Sequence, residues 1–300
     1  MNIEDYNFKD RLIKGITTDG HFKISVIKTT EVVKTARDNH QLSLLNTVVL
    51  GKALTATMLL ASELKGEERI QLRMDGDGPI GFVIAEANSV GEIRGYVQNP
   101  AAELDYSNPE TELGDGIGLG ILTFTKVIYN EAEPKTSTIQ LMKGDVTADV
   151  AHYLAQSEQI PSAILVDVGI DEDGNVTEAG GLLVQRMPDA PDGQIDLLQE
   201  RLGSFPPIDE LLADGQYIDE IMGKAISPLK AKELTRQPVD FFCRCSKKRF
   251  LNALSMLNYE DLKEMEGEGQ EMVCQYCNNT EFIPKEEIEK IVMDAQAKMN

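Results

Sequence analysis

Four cysteines are the residues best equipped for chemistry. Cys243, Cys245, Cys274 and Cys277 are the only cysteines in 300 residues. They read C-x-C and then, about 30 residues further on, C-x-x-C. Two close pairs brought together by folding supply four soft sulfur ligands, the number a closed tetrahedral zinc site needs. Disulfides and unrelated buried thiols are the alternatives, but scattered core cysteines would rarely fall in two tight pairs and nowhere else. Each pair could also serve thiol–disulfide exchange, although a sulfur held in a closed four-thiolate site is less free to attack.

Other chemistry finds little support. Gly114-Asp115-Gly116-Ile117-Gly118-Leu119-Gly120 misses the dinucleotide-loop spacing and leads into a strand-like run, so it reads as a tight loop. Gly51-Lys52-Ala53 lacks the upstream glycine and the hydroxyl of a phosphate loop. The acidic turns Asp75–Gly78 and Asp171–Gly174 lack the full ligand ladder of a calcium loop. His21, His40 and His152 lie far apart and near no nucleophile motif. The chain is therefore expected not to be an enzyme. Arg244, Lys247, Lys248 and Arg249 cluster on the first cysteine pair, where positive charge would lower thiol pKa values.

Net charge is −21, which repels phosphate and anionic lipid and argues against nucleic-acid and membrane partners. The acidic, polar N-terminus has no secretory pattern. In the apolar stretch 48–64, Lys52 and Glu63 bracket a run too short to span a bilayer. A cytoplasmic location follows as the expectation, and there paired thiols more often bind metal or sense redox state.

Three regions must position these residues. Residues 1–187 are expected to form an α+β body with a mixed sheet. A long, mostly buried helix runs from Ser43 to about Leu64, with Leu45, Val49, Ala53, Ala56 and Leu60 at helical spacing. Strands are predicted at 13–15, 22–29, 70–74, 80–86, 93–97, 121–129, 136–142, 163–170 and 176–184, and a helix capped by Asp145. Residues 188–238 hold six of the chain's 12 prolines between short amphipathic pieces, each too short to stand alone. That segment is predicted to be a metastable helical linker. Residues 239–300 form a small zinc-binding module, with a turn at Cys274–Asn279 and a last helix opened by Pro284.

A module of about 60 residues has barely enough core to fold unaided. Structural zinc contributes about 10–16 kcal/mol in small zinc peptides. Loss of the metal should thus unfold the module, and zinc-bound thiolates are what oxidants attack. A redox-controlled order-to-disorder switch is the physical consequence.

The cysteine spacing, Cys243-Arg244-Cys245-Ser246, and the run Val273–Asn279 resemble the heat shock protein 33 family, the redox-regulated holdase chaperones. Gln156–Pro161 and Ala179–Gln185 in the body are similar to that family too. The resemblance implies that the reduced protein binds one Zn2+ through all four cysteines and is inactive. It implies that oxidation pairs Cys243 with Cys245 and Cys274 with Cys277, releases zinc and unfolds the linker. It further implies a homodimer on oxidation and ATP-independent binding of unfolded client proteins. The competing functions are a constitutive zinc-stabilised binding module and a thiol–disulfide oxidoreductase.

Overall fold

Strands β1 (Arg11–Thr17) and β2 (Phe22–Lys28) pair around the turn at Thr18–Gly20 in a computed structural model of the chain. The structure describes residues 9–129, 131, 133–265 and 267–299. A helix not foreseen from the sequence, α1 (Thr30–His40), follows; it has just three apolar residues, Val32, Val33 and Ala36, and buries all of them. Its first turn is capped from outside the helix, since the Val32 amide donates to Asp10 Oδ2 at 2.8 Å. A cap supplied by a residue 22 positions away has no local sequence signature.

The long helix α2 (Leu44–Ala61) is capped by Ser43, whose hydroxyl accepts from the Asn46 amide at 3.2 Å. It buries residues on every side, and Thr55 and Thr57 satisfy their hydroxyls on the Gly51 and Ala53 carbonyls one turn back. Among the described residues it is the one helix long and apolar enough to cross a membrane, yet most of it is buried inside the fold. It is a core helix.

Strands β3 (Arg69–Gly76), β4 (Phe82–Asn88), β5 (Glu92–Val97), β6 (Gly120–Val127) and β7 (Lys135–Gln140) come next. Helix α3 (Val146–Tyr153), capped by Asp145, runs into a π-turn at Leu154–Glu158. The hairpin β8 (Ser162–Ile170) and β9 (Val176–Arg186) returns the chain to the first sheet. One sheet has the order β8-β9-β2-β1 and the other β5-β4-β3-β6-β7, all antiparallel. Helix α2 packs on β2, β8 and β9 of the first and on β3, β4 and β5 of the second, so it fills the space between the sheets. This is the expected α+β body.

Strand alternation then gives the first sheet a second apolar face. Leu12, Ile27 and Leu183 point to the α2 core, whereas Ile13, Ile24, Val26, Leu182 and Val184 belong to a separate cluster. Helices α4 (Asp192–Gly203), α5 (Ile208–Ala213) and α6 (Ile218–Ile226) cover that outer face with Leu198, Ile208, Leu211, Ile218 and Ile221. The expectation of an all-helical connector fails beyond Ile226. Ala231–Pro238 is a strand, β10, on the edge of the first sheet against β1, and β11 (Asp240–Phe241) pairs parallel with β5 of the second. Mostly exposed and without apolar alternation, β10 owes its form to the open edge of β1 rather than to its own pattern.

The chain separates into two units, Met1–Phe242 and Cys243–Asn300. The second contains α7 (Lys247–Leu254), α8 (Tyr259–Glu264), the hairpin β12 (Gln270–Val273) and β13 (Thr280–Ile283), and α9 (Lys285–Met299). Its core is small: Leu254, Leu262, Ile283, Ile288 and Val292.

Candidate metal centre

Each cysteine pair is held by local backbone chemistry. The hairpin ladder closes at Val273 and Thr280, leaving Cys274–Asn279 as the turn. The Asn278 amide donates to the Cys274 carbonyl at 2.7 Å, and the Cys274 amide to the Asn279 carbonyl at 2.9 Å. Asn278 takes φ +56°, the left-handed conformation that asparagine tolerates better than most residues. The first pair precedes α7 directly, and Ser246 caps that helix through the Arg249 amide.

Folding brings all four predicted cysteines together. Their sulfurs lie within 4.8 Å of one another. Cys243 Sγ is 3.7 Å from Cys274 Sγ, and Cys245 Sγ is 3.3 Å from Cys277 Sγ. Sulfurs about 2.3 Å from a tetrahedral zinc stand about 3.8 Å apart, whereas a disulfide needs about 2.05 Å. No disulfide joins the four thiols, and the spacing fits a four-sulfur zinc cage. Among the described residues no other group of three or more ligating side chains is close enough to share an ion.

Electrostatics points the same way. Burial pushes the Cys277 thiol up, and hydrogen bonding to the neighbouring sulfurs adds to the rise. Burial also raises Cys245, with the charges of Cys243 and Cys274 behind it. Crowded, half-buried sulfurs resist becoming four thiolates unless a cation compensates, and a coordinating divalent metal deprotonates thiols outright. Within the basic run, Lys247 directs its charge to Glu287 Oε1 at 2.8 Å. His21 faces Asp19 and Gln194.

Residues 10–282 match the family model described as "Hsp33 protein". The chain belongs to the Hsp33 family. It is 34% identical to a 33 kDa chaperonin of Desulforamulus reducens over 97% of this chain and 99% of that one. It is 35% identical to a 33 kDa chaperonin of Streptococcus agalactiae serotype Ia over 95% and 99%. The crystal structure of the 33 kDa chaperonin (heat shock protein 33 homolog) from Thermotoga maritima superposes with a TM-score of 0.89 at 30% identity, covering 96% of this chain and 99% of that one. Membership in the Hsp33 family makes the chain a chaperone and not an enzyme. It also accounts for a cysteine cluster compatible with zinc.

Sequence reasoning missed polar groups assembled from distant parts of the Hsp33 body. Tyr153, Glu158 and Lys126 form one such set: the tyrosine hydroxyl donates to Glu158 Oε1 at 2.6 Å and Lys126 pairs with the same oxygen at 2.7 Å. Only the fold joins them, so no local motif could have announced them.

Proposed function

We propose that the chain is a redox-regulated, ATP-independent holdase of the cytoplasm that binds unfolding proteins under oxidative stress. The convergence of four unbridged cysteine sulfurs is the observation that carries the reading. In the reduced protein Cys243, Cys245, Cys274 and Cys277 hold one Zn2+, which supplies folding energy to a unit with little core of its own. Peroxide then oxidises each near-neighbour pair, Cys243 with Cys245 and Cys274 with Cys277. Forming each S–S bond takes two electrons from two thiolates, and with two protons from the solvent these reduce one peroxide to two waters. Zinc leaves as the free dication.

The outer face of the first sheet supplies the consequence. Residues 192–226 shield Ile13, Ile24, Val26, Leu182 and Val184, and the chain runs from this cover through β10 and β11 straight into Cys243. Melting of the metastable segment 188–238 would uncover a continuous apolar surface able to hold a client, and two copies with that face bare would dimerise. The excess acidity keeps such an exposed surface soluble.

The test combines hydrogen peroxide with mild heating of the reduced, zinc-loaded protein. About one zinc per chain is expected to appear in a colorimetric chelator assay as suppression of client aggregation rises. Peptide mapping is expected to find the two near-neighbour disulfides. Oxidised, zinc-free protein that lets a heated client aggregate as fast as buffer does would exclude the proposal.

A further inference from the structure

A cavity of about 540 Å³ lies at the C-terminal end of α2, within the first unit. Its apolar wall comes from Leu60, Leu64, Ile70, Leu154, Ile160 and Met187. Two ion pairs line it as well, Lys23 with Glu63 and Lys126 with Glu158. A third lysine shares the first carboxylate. Lys14 reaches Glu63 Oε1 at 2.8 Å, while Lys23 takes Oε2 at 3.0 Å. Arg186 also borders the cavity, but strand alternation puts it on the outer face of β9 with Val184. There its guanidinium donates to the Ala190 carbonyl at 3.3 Å and faces Asp192.

Both carboxylates are ionised. Burial works to raise Glu63, and the bonds from Lys14 and Lys23 more than offset it, holding the carboxyl below its ordinary range. Burial opposes the charge of Glu158 too, and Lys126 and Tyr153 more than offset it there. Three ammonium groups thus face two carboxylates, and within this set one positive charge is left over. In a chain of net charge −21 that is a local reversal of sign. Donors are in excess as well. An ammonium can donate several hydrogen bonds at once, yet among the described residues Lys23 bonds only Glu63 and Lys126 only Glu158. Lys14 holds Glu63 without lining the cavity, so the surplus falls to Lys23, whose side chain is 38% exposed.

We propose that this cavity binds an aliphatic monocarboxylate, with its carboxylate on Lys23 and its chain among Leu60, Leu64, Ile70 and Ile160. A single negative charge balances the set, whereas a dianionic phosphate would overshoot it. The aliphatic chain leaves water for an apolar wall. The volume falls within the ~300–1,000 Å³ of small-ligand sites. An unfolding protein is far too large for it, so the occupant is a small amphiphile and not a client. The inference needs neither zinc nor oxidation of the cysteines.

The test titrates the full, reduced, zinc-loaded chain with octanoate, kept below the concentration at which it self-associates, and follows methyl NMR. Saturable shifts are expected at Leu64, Ile160 and Met187. Octanoate is expected to bind at least about tenfold more tightly than octanol, the neutral probe with the same chain, because only the charged head engages an ammonium strongly. Raising the salt concentration should narrow that gap. Lys23→Gln is expected to weaken octanoate binding about fivefold and to leave octanol binding unchanged, since Lys14 still satisfies Glu63. If that variant folds poorly, the two probes on the unaltered protein decide the matter. Absent shifts at these methyls, octanol binding as tightly as octanoate, or octanoate affinity that a folded Lys23→Gln variant leaves intact would each overturn the proposal.

Discussion

Helix α2 buries 14 of its 18 residues between two sheets, and the cluster around it draws on most elements of the first unit. The C-terminal unit centres on five buried apolar side chains and then spends four more residues on converging sulfurs. One region is held by many weak, redundant contacts, so no single chemical event undoes it. The other has little core, and a metal held by the four sulfurs, as proposed, would concentrate its stability in one centre. Between these extremes lies the outer face of the first sheet, where short helices cover a surface that the body itself supplies. A switch needs this inequality, because a uniformly stable chain would have no part to release.

The sharpest way to break the contrast is to remove zinc from the reduced protein with a chelator. The loss of about 10–16 kcal/mol exceeds or matches the whole stability of a typical domain, about 5–15 kcal/mol. Amide protection in α7–α9, β12 and β13 is expected to vanish while that of α2, β3 and β4 persists. A metal-free C-terminal unit that kept its protection would show that its small core suffices. The converse experiment is Leu54→Ala, at a fully buried position of α2. It should cost the body about 2–5 kcal/mol in a denaturant titration, without altering zinc content.

A third variant separates the two faces of the first sheet. Ile221 is fully buried in the outer cluster and belongs to α6. Ile221→Ala is expected to loosen the cover by about 2 kcal/mol, raising local hydrogen exchange across 192–226 about 30-fold. Unchanged exchange there, or an equal rise in α2, would mean that the cover and the core melt as one unit.

Local signals carried much of this into the sequence. The hairpin turns at Asp75–Pro79 and Asp171–Asn175, the Ser43 and Asp145 caps and the left-handed Asn278 all act within a few residues, so type and spacing were enough. The cysteines were legible for the same reason, as two tight pairs. Helix α1 and strand β10 were not. Asp10 caps α1 from across the fold, and β10 takes its form from the edge of β1. Such features exist only once distant segments meet.

The smallest expected effect concerns a pair of like charges where the cover docks on the first sheet. Asp167 Oδ2 accepts from the Ile208 amide at 2.9 Å and so anchors the start of α5 to β8. The next side chain, Asp209, lies over Gly169, where an added Cβ would come within 2.6 Å of its Oδ2. Partial burial raises the Asp209 carboxyl, and the like charge of Asp167 raises it further, with Glu210 adding to both. A carboxyl raised in the docked state binds its proton more tightly there than in the released segment. Docking should therefore strengthen as pH falls from neutrality through the raised value, and the whole penalty is present above it. Asp209→Asn removes that penalty without touching the Asp167 anchor. Because the site is half-exposed, the gain should be only about 0.5 kcal/mol, read as slower exchange of the 208–213 amides at pH 7.5. At about pH 3, below the ordinary aspartate value, variant and parent should converge. A difference that stayed constant between the two pH values would mean that charge repulsion plays no part in holding this cover close to release.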